Sequence, residues 1–157
     1  MRRKAMAVCL LGAVLLAGCG GGGSAKGVKT FTEPGTVNGE VTSAKRNESA
    51  VLIKAGGAAL INNAELSRKY AGKVGKADTA VVLLEAGKAV VKNSNLTSDA
   101  AGSAGILIGD TAEVEIADTA LSTAGEQSPG IETHGSGALY AWDNMIGTRG
   151  NNSAALS

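Results

Sequence analysis

The chain has 157 residues, of which 44% are hydrophobic and only 3% aromatic, and its formal net charge is +1. The length allows one domain, and a near-neutral chain without basic runs gives no support for nucleic-acid binding. Glycine, at 23 of 157 residues, is about twice as frequent as usual. Because aliphatic residues are plentiful and the net charge is low, the composition favours a thin folded core over disorder.

Residues 1–18 have the features of an export signal. Three basic residues at positions 2–4 precede an uncharged run of 13 residues at positions 5–17, which is shorter than the roughly 20 residues of a spanning helix. Leu16-Ala17-Gly18-Cys19 resembles the lipobox that bacterial signal peptidase II recognises. The resemblance implies a lipoprotein that is anchored outside the cytoplasm on a bacterial membrane through Cys19. The alternative is an ordinary signal peptide with an incidental cysteine.

Cleavage before Cys19 would remove 18 of the 157 residues and leave a mature chain of 139. It would also remove three positive charges, so the formal net charge would change from +1 to −2. Cys19 would then be the only cysteine, so an internal disulfide is not expected. A thiolate is readily alkylated, and several acyl chains hold a protein on a membrane far more firmly than one. Residues 19–27 are a lipidated cysteine and a glycine-rich tether of flexible composition. Residues 28–48 are interpreted as either a cap or an incomplete first coil.

Four similar segments follow, beginning at Ser49, Thr79, Ala104 and Pro129; the first interval is the longest, and the two after it are equal. Apolar residues alternate with others within each copy, the period of a half-buried strand. The residues predicted to point inward from a first strand are Val51/Ile53, Val81/Leu83, Ile106/Ile108 and Ile131/Thr133. Those predicted to point inward from a second strand are Ala59/Ile61, Ala89/Val91, Val114/Ile116 and Leu139/Ala141.

A short polar residue follows the second strand of every copy, and an aliphatic residue comes three positions later. The polar residues are Asn63, Asn93, Asp118 and Asp143. Asn and Asp hydrogen-bond to nearby backbone and tolerate left-handed conformations, so we expect a turn at each of them. Stacking of the copies would align these side chains in a ladder, in which Asp118 and Asp143 would repel each other unless protonated, solvated or paired.

Strands joined by turns at such a regular period can stack copy on copy, and several coils together bury a face that one coil cannot. The repeated pattern resembles the right-handed parallel β-helix of pectate-lyase-like and adhesin-like surface proteins. We therefore predict an all-β fold of about four coils over residues 49–157, with a β-sandwich as the alternative. No cap is visible after the fourth coil, which indicates an N-terminal piece of a longer protein or an open end that binds something.

Tyr140 and Trp142 are the first candidate site. If Leu139 and Ala141 point inward, both aromatic side chains project from the outer face of the fourth coil. Tyr and Trp combine an apolar body with a polar edge and suit stacking on a sugar. The competing interpretation is that they pack beneath a cap or another coil, since isolated surface aromatics are ordinary.

Other polar residues give weaker signals. Glu132 and His134 share one face and, with Asp110 or Asp143, would make a metal or acid/base group, but a single histidine is too few for zinc. Lys88 and Glu113 should form an exposed cross-strand ion pair. We therefore assign no catalytic residue, no metal ligand and no cofactor.

The sequence favours a non-catalytic surface module that binds glycans or a host or cell-wall surface, with the membrane as its second partner. The alternative is the N-terminal part of a polysaccharide-degrading lyase or glycosidase whose active site lies in further coils. A spacer that displays other domains is a third interpretation.

Overall fold

The computed structural model describes residues 25–72, 74 and 79–157. The predicted signal peptide, Cys19 and the glycine run that ends at Ser24 lie outside the described residues. Within the described part, every regular element is a β-strand. The strands in chain order are β1 (Lys26–Phe31), β2 (Pro34–Ser43), β3 (Glu48–Ile53), β4 (Ala58–Arg68), β5 (Ala80–Leu84), β6 (Gly87–Lys92), β7 (Asn95–Ser98), β8 (Ala104–Ile108), β9 (Ala112–Ala117), β10 (Ala120–Thr123), β11 (Ile131–Thr133), β12 (Ala138–Trp142) and β13 (Met145–Thr148).

The strands wind into a parallel β-solenoid of about five turns. The first two turns contain two strands each (β1–β2 and β3–β4), and the next three contain three each (β5–β7, β8–β10 and β11–β13). The sequence indicated about four coils, and the additional turn is formed by β1 and β2. In that turn Lys26 pairs with Glu48 and Pro34 with Ala58. Both pairs are closer together in the chain than the recognised copies are. The turn overlaps residues 28–48, which the sequence left as either a cap or an incomplete first coil.

Equivalent strands of successive turns pair in parallel and form three faces. The first face has the order β1-β3-β5-β8-β11. The second face consists of β12-β9-β6 and the first half of β4, and the third face of β13-β10-β7 and the second half of β4. β2 lies against the whole of β4, with a register shift between Val37 and Gly39. The long strands β2 and β4 thus connect the second and third faces without a break.

The core is a set of aliphatic rows that run along the solenoid axis. On the second face Ala59, Ala89, Val114 and Leu139 are in register, and so are Ile61, Val91, Ile116 and Ala141. This confirms the inward rows predicted for the second strand. The first three members of each row are almost fully buried, and each large aliphatic side chain removed from water stabilises the fold by about 1.5–3 kcal/mol.

One predicted pair on the first face is wrong in register: Leu83 lies outside the main core, although Val81 remains within it. Val82 and Leu84, not Val81 and Leu83, align with Val51 and Ile53. Leu84 pairs with Ile53, and Lys88 pairs with Ala58. The loop between Leu84 and Lys88 is one residue shorter than the corresponding loop between Ile53 and Ala58. The register of β5 therefore moves by one residue, which exchanges the two faces of a strand. Leu83 instead joins Leu52 and Leu107 in a separate buried cluster.

The two ends of the solenoid differ. In the first turn the Phe31 ring packs close to Gly35, in the row that continues through Ile53. In the fifth turn Leu139 and Ile146 are only partly buried and Ala141 is exposed, because no strand covers β12 or β13 among the described residues. The last residues of the chain cover β11: Leu156 forms a parallel β-bridge with Ile131, and Ile131 is therefore buried.

A matched pair of leucine substitutions tests the solenoid packing. Leu96 is fully buried between Leu66 and Leu121, whereas Leu60 projects outward and is 43% exposed. We expect Leu96→Ala to lower the free energy of unfolding by about 2–5 kcal/mol, because it removes buried methyl groups and leaves a cavity. Leu60→Ala should cost less than about 1 kcal/mol. Urea unfolding of the full chain measures both, and equal losses would contradict the assigned inner and outer faces.

Candidate functional site

The outer side of the second face carries two neighbouring aromatic side chains. Tyr140 and Trp142 on β12 are 55% and 45% exposed, on the side opposite to the partly buried Leu139. In register on β9, Tyr140 lies beside Glu115 and Trp142 beside Ala117. The alternation of β12 therefore places both rings outward and side by side, as the sequence predicted.

Two ion pairs cross the strands next to these aromatics. Lys88 Nζ lies 2.8 Å from Glu113 Oε2, which confirms the predicted pair, and Lys92 Nζ lies 3.5 Å from Glu115 Oε1. The hydrogen bond to Glu113 and its negative charge raise the pKa of Lys88, and Tyr140 adds a smaller effect in the same direction. All four side chains are substantially exposed, so the pairs contribute little to stability. They do form a band of hydrogen-bonding groups beside the aromatic rings.

An apolar hollow lies on the same outer side, toward the first turn. It is lined mainly by apolar residues, among them Leu60, Val90, Pro34 and Ala58, together with Lys88. Leu60 is one of the few large aliphatic side chains that are exposed among the described residues. The second face therefore has an apolar surface at each end and charged groups between them.

The four predicted turn residues adopt the left-handed conformation. The φ angles are 50° at Asn63, 47° at Asn93, 48° at Asp118 and 55° at Asp143. A hydrogen bond between two side-chain amides at this corner runs from Asn93 Nδ2 to Asn62 Oδ1 at 3.2 Å, so it involves Asn62 in place of Asn63. The four residues shape the corner between the second and third faces, and a continuous ladder of their own side chains is not formed.

A ladder does exist one residue later. The backbone N–H of Ala64 donates to Ser94 Oγ, that of Ser94 to Thr119 Oγ1, and that of Thr119 to Asn144 Oδ1, at 3.0–3.4 Å. Each accepting side chain also donates to a backbone carbonyl; the three carbonyls are those of Lys92, Ala117 and Ile116. This row was not predicted from the sequence, although its members from Ser94 onward are evenly spaced in the chain.

A second ladder of this kind stands at the corner between the third and first faces. The backbone N–H of Ser103 donates to Ser128 Oγ at 3.3 Å, and that of Ser128 to Ser153 Oγ at 2.9 Å. The preceding residues Gly102, Gln127 and Asn152 have positive φ angles of 75°, 53° and 56°. The even spacing of the three serines was the signal for it. Both ladders satisfy backbone groups where the chain leaves one sheet face for the next.

Arg68 is the most deeply buried charged residue of the described part, with no exposed surface. It lies in a row otherwise occupied by small hydroxyl side chains; these are Ser43, Ser98, Thr123 and Thr148. Its guanidinium donates to the backbone carbonyls of Lys45, Arg46 and Glu48. Burial lowers the pKa of Arg68, and the charge of Glu48 acts in the opposite direction. Through these hydrogen bonds Arg68 fixes the conformation of the loop between β2 and β3.

The polar candidates on the first face do not assemble into a larger group. His134 Nε2 lies 2.9 Å from Glu132 Oε1. The Asp110 carboxylate lies against the backbone of Gly135, and the Asp110 carbonyl accepts a hydrogen bond from Ser136 Oγ. Within residues 25–72, 74 and 79–157 no group of three or more potential metal ligands occurs.

No helix in the same ranges is long and apolar enough to cross a membrane. Comparison of the chain with family models, with curated proteins and with solved structures finds no match.

The corner ladder is tested by replacing Thr119, whose side chain accepts from one turn and whose backbone donates to the next. Thr119→Val should lower the free energy of unfolding by about 1–3 kcal/mol, because the buried N–H of Ser94 and the carbonyl of Ala117 lose a partner. Thr97, half-buried on the outer side of β7, is the matched control, and Thr97→Val should change stability by less than about 0.5 kcal/mol. Chemical unfolding would refute the ladder if the two variants were indistinguishable.

Proposed function

We propose that the protein is a lipid-anchored bacterial surface lipoprotein whose solenoid binds glycans, without cleaving them, through the outer side of the second face. The observation that carries the proposal is the exposed pair Tyr140 and Trp142 on one strand. The flat apolar surfaces of two neighbouring exposed aromatic side chains suit the apolar face of a sugar ring.

The surroundings of the pair support the same function. Carbohydrates present hydroxyl groups around the rim of an apolar ring face, so a site for them needs donors and acceptors next to a stacking surface. Glu115 lies in register beside Tyr140, and its ion-pair partner Lys92 projects from the next strand. A carboxylate accepts hydrogen bonds and an ammonium donates them. The outer second face therefore has both components within two strand spacings.

The anchor is the second part of the proposal. A basic start, a short apolar run and Leu16-Ala17-Gly18-Cys19 support lipid attachment at Cys19. Residues 20–24 are four glycines and a serine, a composition that forms a flexible link. A flexible link leaves the orientation of the solenoid free, so its faces can meet a glycan on the cell wall or on a host surface.

The aromatic pair is tested by screening the full chain, purified in mild detergent, against arrayed oligosaccharides. Trp142→Ala should weaken the binding of any retained oligosaccharide about tenfold, since an aromatic contact contributes about 1.4 kcal/mol. Trp142→Phe should keep most of the affinity. The control is Met145→Ala, because Met145 is 76% exposed but lies on the third face.

Two outcomes would contradict glycan binding at this surface. One is that no oligosaccharide is retained, and the other is that Trp142→Ala binds as the unchanged protein does. Release of shortened oligosaccharides during the incubation would support the polysaccharide-cleaving alternative instead.

The anchor is tested by Cys19→Ser in the bacterial host. We expect the unchanged protein to incorporate labelled palmitate and to partition into detergent, because acyl chains contribute about 0.8 kcal/mol per buried CH₂. Cys19→Ser should lose both properties, while Cys9→Ser, inside the apolar run, should keep them. Absence of label from the unchanged protein would indicate an ordinary signal peptide.

A further inference from the structure

The two apolar ends of the outer second face lie in a single row across the strands. Leu60 pairs with Val90, Val90 with Glu115, and Glu115 with Tyr140. All four side chains point to the same side, because the neighbouring row from Ala59 to Leu139 points into the core. Adjacent strands are about 4.8 Å apart, so Leu60 and Tyr140 are separated by three spacings, or about 14 Å. A ligand longer than one sugar ring can therefore reach both ends.

The Leu60 end is an open, shallow apolar hollow. Leu60 is 43% exposed and lines this hollow together with Val90, Pro34 and Lys88. Small-molecule sites are mostly apolar and concave with a few polar groups at the edge. The hollow has this composition, and Lys88 connects it directly to the ion pairs in the middle of the face.

The middle of the face carries no net formal charge. Two lysines (Lys88 and Lys92) and two glutamates (Glu113 and Glu115) project there, and each lysine is paired with a glutamate. The four formal charges sum to zero, so an acidic polymer that approaches a lysine also meets a glutamate, and a basic polymer meets the reverse. Hydroxyl groups can hydrogen-bond to both kinds of side chain without this penalty.

We infer that the ligand is an uncharged glycan chain that crosses the strands of the second face, from the Tyr140–Trp142 pair over the ion pairs to a second subsite at Leu60 and Val90. This inference rests on the proposed glycan-binding function. It adds the direction of the chain, the second contact point and the class of sugar polymer. One sugar unit stacks on the aromatic pair, and a unit farther along the same chain covers Leu60.

The test is a length series of uncharged oligosaccharides, from one to six sugar units, titrated against the full chain and two variants. Affinity should rise once the oligosaccharide is long enough to span about 14 Å. Leu60→Ala should leave the binding of the shortest ligands unchanged and weaken that of the longest about fivefold, because it removes apolar contact at the far end only. Trp142→Ala should weaken the binding of all lengths.

Val28→Ala is the matched control, since Val28 is an aliphatic residue 44% exposed on β1 of the first face. Binding that does not depend on length, an equal effect of Leu60→Ala on all lengths, or a preference for acidic oligosaccharides would overturn this inference while leaving glycan binding at Trp142 intact. Failure of every oligosaccharide to bind would overturn the proposed function itself.

Discussion

Every turn of a solenoid leaves an apolar layer and one edge of each strand uncovered unless another turn lies on it. In this protein the aliphatic rows continue from turn to turn, and Ile61, Val91 and Ile116 are each fully buried because both neighbours in the row are present. The dependence is visible in the fifth turn, where Ala141 occupies the same row but is exposed. Register between turns is therefore the constraint on which the core, the corners and the outer surface all depend.

The corners obey the same constraint through hydrogen bonds. A chain that bends out of a sheet face leaves backbone groups without strand partners, and these must be satisfied in another way. Left-handed residues such as Asp118 make the bend, and the next side chain, here Thr119, accepts an N–H from the adjacent turn. The row of serines at the corner between the third and first faces satisfies backbone N–H groups in the same way. Side chains of moderate size with one accepting oxygen are enough, which explains why serine, threonine and asparagine are interchangeable in these rows.

Much of the fold was visible in the sequence because the strand period and the regular spacing of the copies reinforce each other. They identified the parallel solenoid and the inward rows of the second face, and hence the outward direction of Tyr140 and Trp142. The prediction failed where a loop changes length, since a spacing rule assumes constant turns. The short loop before Lys88 moved β5 by one residue, and the first turn, whose spacing differs, was predicted only as a cap or an incomplete coil.

Single residues without a repeated counterpart were harder to interpret. Nothing in the pattern distinguished Arg68 from an exposed basic residue at a strand end, although it is fully buried. The hollow at Leu60 also depends on the first turn, which supplies Pro34. Without the strand pairing of β2 and β4, its position relative to Tyr140 could not be derived from spacing.

The turns of the solenoid differ in whether one can be added or removed without disturbing the others, and Arg68 is one cause of the difference. The fourth and fifth turns match at one constant offset on all three faces, so insertion or loss of one such unit preserves the register of everything around it. The first turn has no such freedom, because its loop is held by a guanidinium that belongs to the second. Duplication of the fifth-turn unit would therefore keep the strand pairs in register, whereas removal of the first turn would leave the Arg68 guanidinium without its carbonyl partners on Lys45 and Arg46.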